Sequence, residues 1–476
     1  MKKEFKNVSW VLFDQIAVIV SLGINILILT KLFSPLDFGV YAIGMIIIGI
    51  VQQVFALGFS AALIQFENHN KYYGTAWSFN LAIALTLTVL LVLFIPTILN
   101  IFFKSFLDYS YYFQVLSSCI LINGLGNVGV IELFRSRDTK RIFLIRGFLE
   151  LLKVAIIYWF FTIFGDYRSL IYAFLVISVV KLCLSYIIAP IKVKFDFNLK
   201  LIKELFSFSG WLQLKNIGKV IVNQLDSILI ASLLTPITLG FYNRSIAISK
   251  VPEKLFQSIN ELFIFSYISE NRENKTLVNY CFDLYVFILL LINGIICVSF
   301  YFFGETIIQL VLGVKWLPVS KPLLILLLST SFNTLSYLFF PFIRALGFPK
   351  LEFKLFMYKL VILLIISYPL VYNYGILGAA SANLISALII MPIVIENTKN
   401  ILGNSVRKTY FLVVIWFSVA IVLSLIYSYN YEGVFDLIIN MIFLIFVYCI
   451  SGILVTLIVY PKTKNKFKEL IKTIRR

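Results

Sequence analysis

Residues 30–41 read TKLFSPLDFGVY, and residues 231–242 read ASLLTPITLGFY. Set at an offset of 201, Ser34-Pro35 falls on Thr235-Pro236, Gly39 on Gly240, Tyr41 on Tyr242, and Trp10 on Trp211. A weaker echo places Phe79-Asn80-Leu81 against Phe282-Asp283-Leu284 at an offset of 203. Proline cannot continue a helix and glycine relieves the backbone, so turn chemistry accounts for the residue types. It does not account for their return at the same place in both halves. The repeat predicts two related bundles of membrane helices in tandem. We divide the chain into a lobe at 1–200, a lobe at 201–400, and a segment at 401–476 holding two more spans and a basic tail.

Composition sets the solvent. The chain has 476 residues, 61% hydrophobic and 13% charged, a balance suited to lipid. A span needs about 20 apolar residues to cross a hydrocarbon core of about 30 Å. Fourteen stretches qualify, near 8–30, 38–65, 75–100, 111–133, 142–164, 168–190, 207–232, 239–268, 278–303, 318–343, 352–372, 377–396, 409–428 and 434–460. Lipid requires backbones that satisfy themselves, so these segments are helices. The expected fold is an all-α membrane protein of about 14 transmembrane helices, two six-helix lobes plus two C-terminal helices. Six is even, so the lobes share one orientation and are related by an axis along the membrane normal. The first apolar run is too long for the core of a signal peptide and lacks a small-residue cleavage site, so it is expected to remain as a span.

Basic residues give the orientation. With the N-terminus inside, only Lys31, Lys104, Arg168, Lys315 and Lys321 fall in outward loops. Inward segments hold Arg135, Arg137, Lys140 and Arg141, then Lys192, Lys194, Lys200 and Lys203, and seven more between Lys462 and Arg476. This asymmetry places both termini in the cytoplasm. The net charge of +18 then reflects topology and anionic membrane lipids, and no nucleic acid partner is expected, because the basic residues are scattered through short loops. The five cysteines fall in proposed spans without metal-ligand spacing, and His69 sits alone in a short inward loop. No P-loop, HExxH or Gly-x-Ser-x-Gly occurs, and no outward loop is large enough for a catalytic domain. We expect no enzyme, cofactor or metal site.

Charges within spans locate a wet surface, since an ionised side chain at mid-bilayer costs ~2.5–3.5 kcal/mol on insertion scales. Lys215, Lys219, Asn223 and Asp226 step by four, four and three along span seven, so they share one face. Span eight carries Lys250, Glu253, Lys254, Gln257 and Glu261 in a stripe, with Pro252 bending the helix and Arg244 nearer its outer end. Span five carries Arg146, Glu150 and Lys153; span one carries Asp14, Ser21 and Asn25; span six adds Lys181. Glu132, Arg146, Glu261 and Lys359 lie near the cytoplasmic boundary, where snorkelling is the plain explanation. Lys250, Glu253 and Lys254 are equally readable as a structural ion cluster. Asp14, Glu150 and Asp226 are the acids placed to couple transport to an ion.

Residues 32–41, LFSPLDFGVY, followed by Leu57-Gly58-Phe59-Ser60-Ala61-Ala62-Leu63-Ile64-Gln65, resemble the start of the polysaccharide-export flippases. These belong to the multidrug/oligosaccharidyl-lipid/polysaccharide (MOP) superfamily, and the resemblance is to its Wzx-like branch. Gly375-Ile376-Leu377-Gly378-Ala379-Ala380 is also similar to that family. Many relatives have an acid just before the Leu-Gly, where this chain has Ala56. The resemblance implies a V-shaped pair of six-helix lobes around a cationic cavity. It implies an undecaprenyl-pyrophosphate-linked oligosaccharide as substrate, moved from the inner to the outer leaflet of the bacterial cytoplasmic membrane. Arg146, Lys153, Lys181, Lys215 and Lys219 are the residues here that can supply the cavity's charge. Implied partners are the lipid-linked substrate, membrane lipids, and a polysaccharide polymerase with its chain-length machinery. The alternatives are a multidrug or cation exporter of the same superfamily, which favours an acidic cavity, and a flippase for the peptidoglycan-precursor lipid.

Overall fold

The computed structural model describes residues 2–55, 59–66, 69–259, 264–271, 273–402 and 434–459. Helices occupy thirteen of the fourteen expected ranges; the other, 409–428, lies outside the described residues, as do Ala56, Glu261 and the basic tail. Among the described residues eight helices are long and apolar enough to cross a membrane, or nine with one bent pair. The described residues contain no strand. The chain is a multi-pass membrane protein. Packing divides it into two compact units, 1–244 and 245–476.

In the first unit the repeat motif begins a helix. Ser34 is the cap, Pro35 opens the helix Pro35–Phe55, and Asp37 reaches back from the third position. The Ser34 amide donates to Asp37 Oδ2 at 2.8 Å, and the Asp37 amide donates to Ser34 Oγ at 3.3 Å. Such a reciprocal pair satisfies two amides that a helix start leaves without partners. Pro suits the first position because its missing N–H has no intrahelical acceptor there. The second copy repeats the device with threonines at the start of the helix Pro236–Ser249. There the Thr235 amide donates to Thr238 Oγ1 at 3.1 Å, and the Thr238 amide to Thr235 Oγ1 at 3.4 Å.

The two helix starts touch each other. A methyl group added at Gly39 would lie 1.8 Å from the Pro236 carbonyl oxygen, and one added at Gly240 would lie 1.8 Å from the Pro35 carbonyl oxygen. Backbone approach of this kind needs glycine on both sides. The repeated Gly is therefore a packing requirement: both glycines lie inside helices, at ordinary helical φ, where the sequence alone suggested a turn.

Three breaks interrupt the expected spans. The expected span 111–133 is two pieces, Lys104–Gly124 and Gly129–Arg135, bent by 64°. Asn127 holds the break: its amide donates to Ser185 Oγ at 3.0 Å, and its Oδ1 accepts from the Gly129 amide at 2.7 Å. The expected span 239–268 is broken at Lys250, between Pro236–Ser249 and Val251–Ile259, just ahead of Pro252, whose ring excludes a continuous helix. In the second unit, Gly375 has φ 57° and ψ −133° within Pro349–Leu402, which separates the expected spans 352–372 and 377–396. Only glycine tolerates that backbone readily. The core of the second unit is built by Lys275–Val311, Ser320–Ala345, Pro349–Leu402 and Val434–Val459.

Candidate functional site

The helix Lys2–Ile24 packs against Gly147–Phe164, and their polar faces meet. Arg146 Nε lies 3.5 Å from Asp14 Oδ2, with the arginine half exposed and the aspartate buried. Gly147 leaves room for that carboxylate, since an added methyl there would lie 2.9 Å from Asp14 Oδ1. Ser21 Oγ donates to the Glu150 carbonyl at 2.8 Å, and Glu150 is ion-paired with Lys153. Two of the cations and two of the acids singled out in the sequence thus neutralise one another along one seam.

Asp226 is buried on the helix Leu199–Leu233 and accepts a hydrogen bond from Tyr242 Oη at 2.6 Å. Tyr242 belongs to the second copy of the motif. Lys219 lies on the same helix, exposed, and makes no ion pair with a described residue. The backbone of Lys215 is helical, one turn before Lys219. Lys181, on Tyr167–Ile188, makes no ion pair either, and it lines a cavity of about 560 Å³ inside the first unit. Among the described residues no three His, Cys, Asp or Glu side chains gather at metal-ligand distances.

A family model described as "Polysaccharide biosynthesis protein" matches residues 28–321. The chain belongs to that family. It is 25% identical over 413 residues to a "Putative O-antigen transporter" of Shigella flexneri, covering 79% of this chain and 93% of that one. Among solved structures it is similar to a lipid II flippase, MurJ, in an inward closed conformation, with a TM-score of 0.72 and 18% identity over 98% of this chain and 100% of that one. It is also similar to an inward-facing multidrug resistance MATE family transporter of the MOP superfamily, with a TM-score of 0.59 and 15% identity, covering 83% and 96% of the two chains. These likenesses establish the fold as that of MOP-type flippases and transporters.

The structure joins Arg244 and Asn25, which the sequence places on separate spans without a shared role. Arg244 is 6% exposed, with its guanidinium 3.6 Å from the centre of the Phe38 ring. Its Nη1 donates to Asn25 Oδ1 at 2.9 Å. Asn25 opens a wide turn, Asn25–Leu29, in the first span; π-turns of this kind recur at functional sites. The signal in the sequence was weak: besides its neighbour Asn243, the partners of Arg244 lie more than 200 positions away.

Lys359 of the second unit does not snorkel. It is 5% exposed, and its ammonium donates to Asn333 Oδ1 and Tyr337 Oη, each at 2.7 Å. Glu132 also has a partner, accepting from Tyr73 Oη at 2.6 Å. Buried polar groups that find such partners need no route to water.

Proposed function

We propose that this chain is a flippase in the bacterial cytoplasmic membrane. It moves undecaprenyl-pyrophosphate-linked oligosaccharide units from the inner to the outer leaflet by alternating access, with both termini in the cytoplasm. The observation that carries this reading is the imbalance of charge at membrane depth in the first unit. Asp14, Glu150 and Asp226 are engaged by Arg146, Lys153 and Tyr242, whereas Lys181 and Lys219 make no ion pair with described residues. The charge left available is positive, which suits a pyrophosphate and disfavours a cationic drug. Ammonium groups replace the hydration that a phosphate loses on leaving water.

The isoprenoid tail stays in lipid while the polar head passes through a wet, cation-lined path. An inside-negative potential is worth ~2.3 kcal/mol per charge per 100 mV, so a pyrophosphate with about two charges gains ~4–5 kcal/mol moving outward. That drive, with consumption of product outside by the polymerase machinery, favours outward movement of the cargo, and Asp14, Glu150 and Asp226 are the acids to test for ion coupling beside it.

The test is Lys215→Ala with Lys219→Ala in a strain whose surface polysaccharide depends on this gene. The expected outcome is lipid-linked precursor accumulating in the inner leaflet, with surface glycan reduced about tenfold or more. Normal surface glycan in the double variant removes these lysines from the mechanism. Loss of drug efflux with normal glycan overturns the reading in favour of an exporter.

A further inference from the structure

The cavity inside the first unit has a lining that the charge argument does not use. It is framed by the helix break at Gly124–Gly129, by Pro35–Phe55 and the short helix Phe59–Gln65, by the start of Tyr73–Phe102, and by Tyr167–Ile188. Its volume of about 560 Å³ falls within the ~300–1,000 Å³ typical of small-molecule sites. Gln52, Ser60, Asn80 and Asn123 line it, and none of them hydrogen-bonds to a described residue. Trp77 contributes an aromatic surface, and Lys181 is the one charged side chain among the described residues of the wall.

Ser60, Asn80 and Asn123 are exposed and Gln52 is half-buried, so in a chain 61% hydrophobic four polar side chains gather around one cavity with their donors and acceptors open to a ligand. The neighbouring Asn127 shows the contrast, since both ends of its carboxamide are consumed in holding the helix break. Carboxamides present a donor and an acceptor side by side, which matches vicinal hydroxyls. A flat aromatic face suits the apolar face of a pyranose ring. The wall carries no described acid, so it does not select a cation.

We propose that this cavity is a sugar-recognition subsite for the head of the lipid-linked cargo. Gln52, Ser60, Asn80 and Asn123 hydrogen-bond sugar hydroxyls, the ring packs on Trp77, and Lys181 meets an anionic group of the head, either a carboxylate on the sugar or the pyrophosphate. The inference rests on the flippase reading and adds where the glycan is read. In the orientation expected from the basic residues, the cavity lies in the cytoplasmic half of its lobe, where a newly assembled head would arrive.

The test compares two probes on the purified full chain: polyprenyl pyrophosphate bearing the host's repeat unit, and polyprenyl pyrophosphate without sugars. Asn80→Ala with Asn123→Ala is expected to weaken the glycosylated lipid about tenfold and to leave the bare lipid unchanged, at wild-type melting temperature. If the double variant does not fold, Asn80→Ala and Asn123→Ala singly carry the same comparison. Equal weakening of both probes by a folded variant, or no weakening of either, overturns the subsite. Wild-type protein that binds neither probe overturns the flippase reading itself. Lys181→Gln sorts the anion: weakening of the glycosylated lipid alone places it on the sugar, and weakening of both places it on the pyrophosphate. No effect on either removes Lys181 from the site.

Discussion

The two copies of the Pro-x-x-x-Gly-x-Tyr loop share a backbone and differ in what their side chains do. In the first copy, Asp37 both caps its own helix and accepts from the Tyr167 amide at 2.8 Å, which ties the loop to the start of Tyr167–Ile188. The Tyr41 hydroxyl makes no hydrogen bond with a described residue. In the second copy Thr238 caps and reaches no further, while Tyr242 holds the buried carboxylate of Asp226 and is followed two residues later by buried Arg244. One copy anchors scaffold; the other carries charge into the membrane. A duplicated element keeps the geometry that both halves need, and its side chains diverge where the halves have separate work.

The largest expected effect comes from the feature the copies share. Gly39→Val or Gly240→Val drives a side chain into an opposing backbone carbonyl that cannot yield, beyond the ~1–3 kcal/mol usual for overpacking. Either single variant should lose most of its monodisperse, detergent-extracted protein on size-exclusion chromatography. A well-behaved variant with wild-type melting would break the claim that the two loops meet.

The next effect separates the copies. Tyr242→Phe leaves buried Asp226 short of a donor and should cost about 1–3 kcal/mol of stability. Tyr41→Phe, at the matching position, should fall within about 0.5 kcal/mol of wild type. Thermal melting of the purified pair measures the difference, and equal shifts would erase it.

The smallest effect is in the caps. Asp37→Ala should cost about 1–2 kcal/mol, because it removes both the cap and the link to Tyr167. Thr238→Ala should cost about 0.5–1 kcal/mol, because only a cap is lost. Hydrogen exchange at the Tyr167 amide sharpens this, rising in the first variant and staying unchanged in the second.

Much of this architecture was legible from residue order. Hydropathy placed the helices, since lipid permits little else, and the repeat pointed to the two loops that prove to be in contact. Periodicity also found the polar faces bearing Asp14, Arg146, Glu150 and Lys153. It could not say who pairs with whom, because that depends on which helices become neighbours. Arg146 looked like a residue at the cytoplasmic boundary until Asp14 of the first helix was set beside it, whereas Glu150 and Lys153, three residues apart, pair on their own helix. Arg244 was named on its span but given no partner, because burial and a stacked ring are invisible on a single helix. Lys359 looked like a residue near the interface until Asn333 and Tyr337 supplied its acceptors. The cavity was hidden for another reason: it opens where 111–133, a single apolar run by composition, breaks around Gly124, Gly126 and Gly129.

The crossing of Gly39 on Pro236 with Gly240 on Pro35 is isologous: each loop offers the other the same patch that it receives. A surface of that kind lets two identical half-length polypeptides associate as a symmetric dimer. Joining such partners end to end in one gene frees each copy to mutate by itself, and it gives a route by which a self-pairing ancestor becomes an asymmetric carrier.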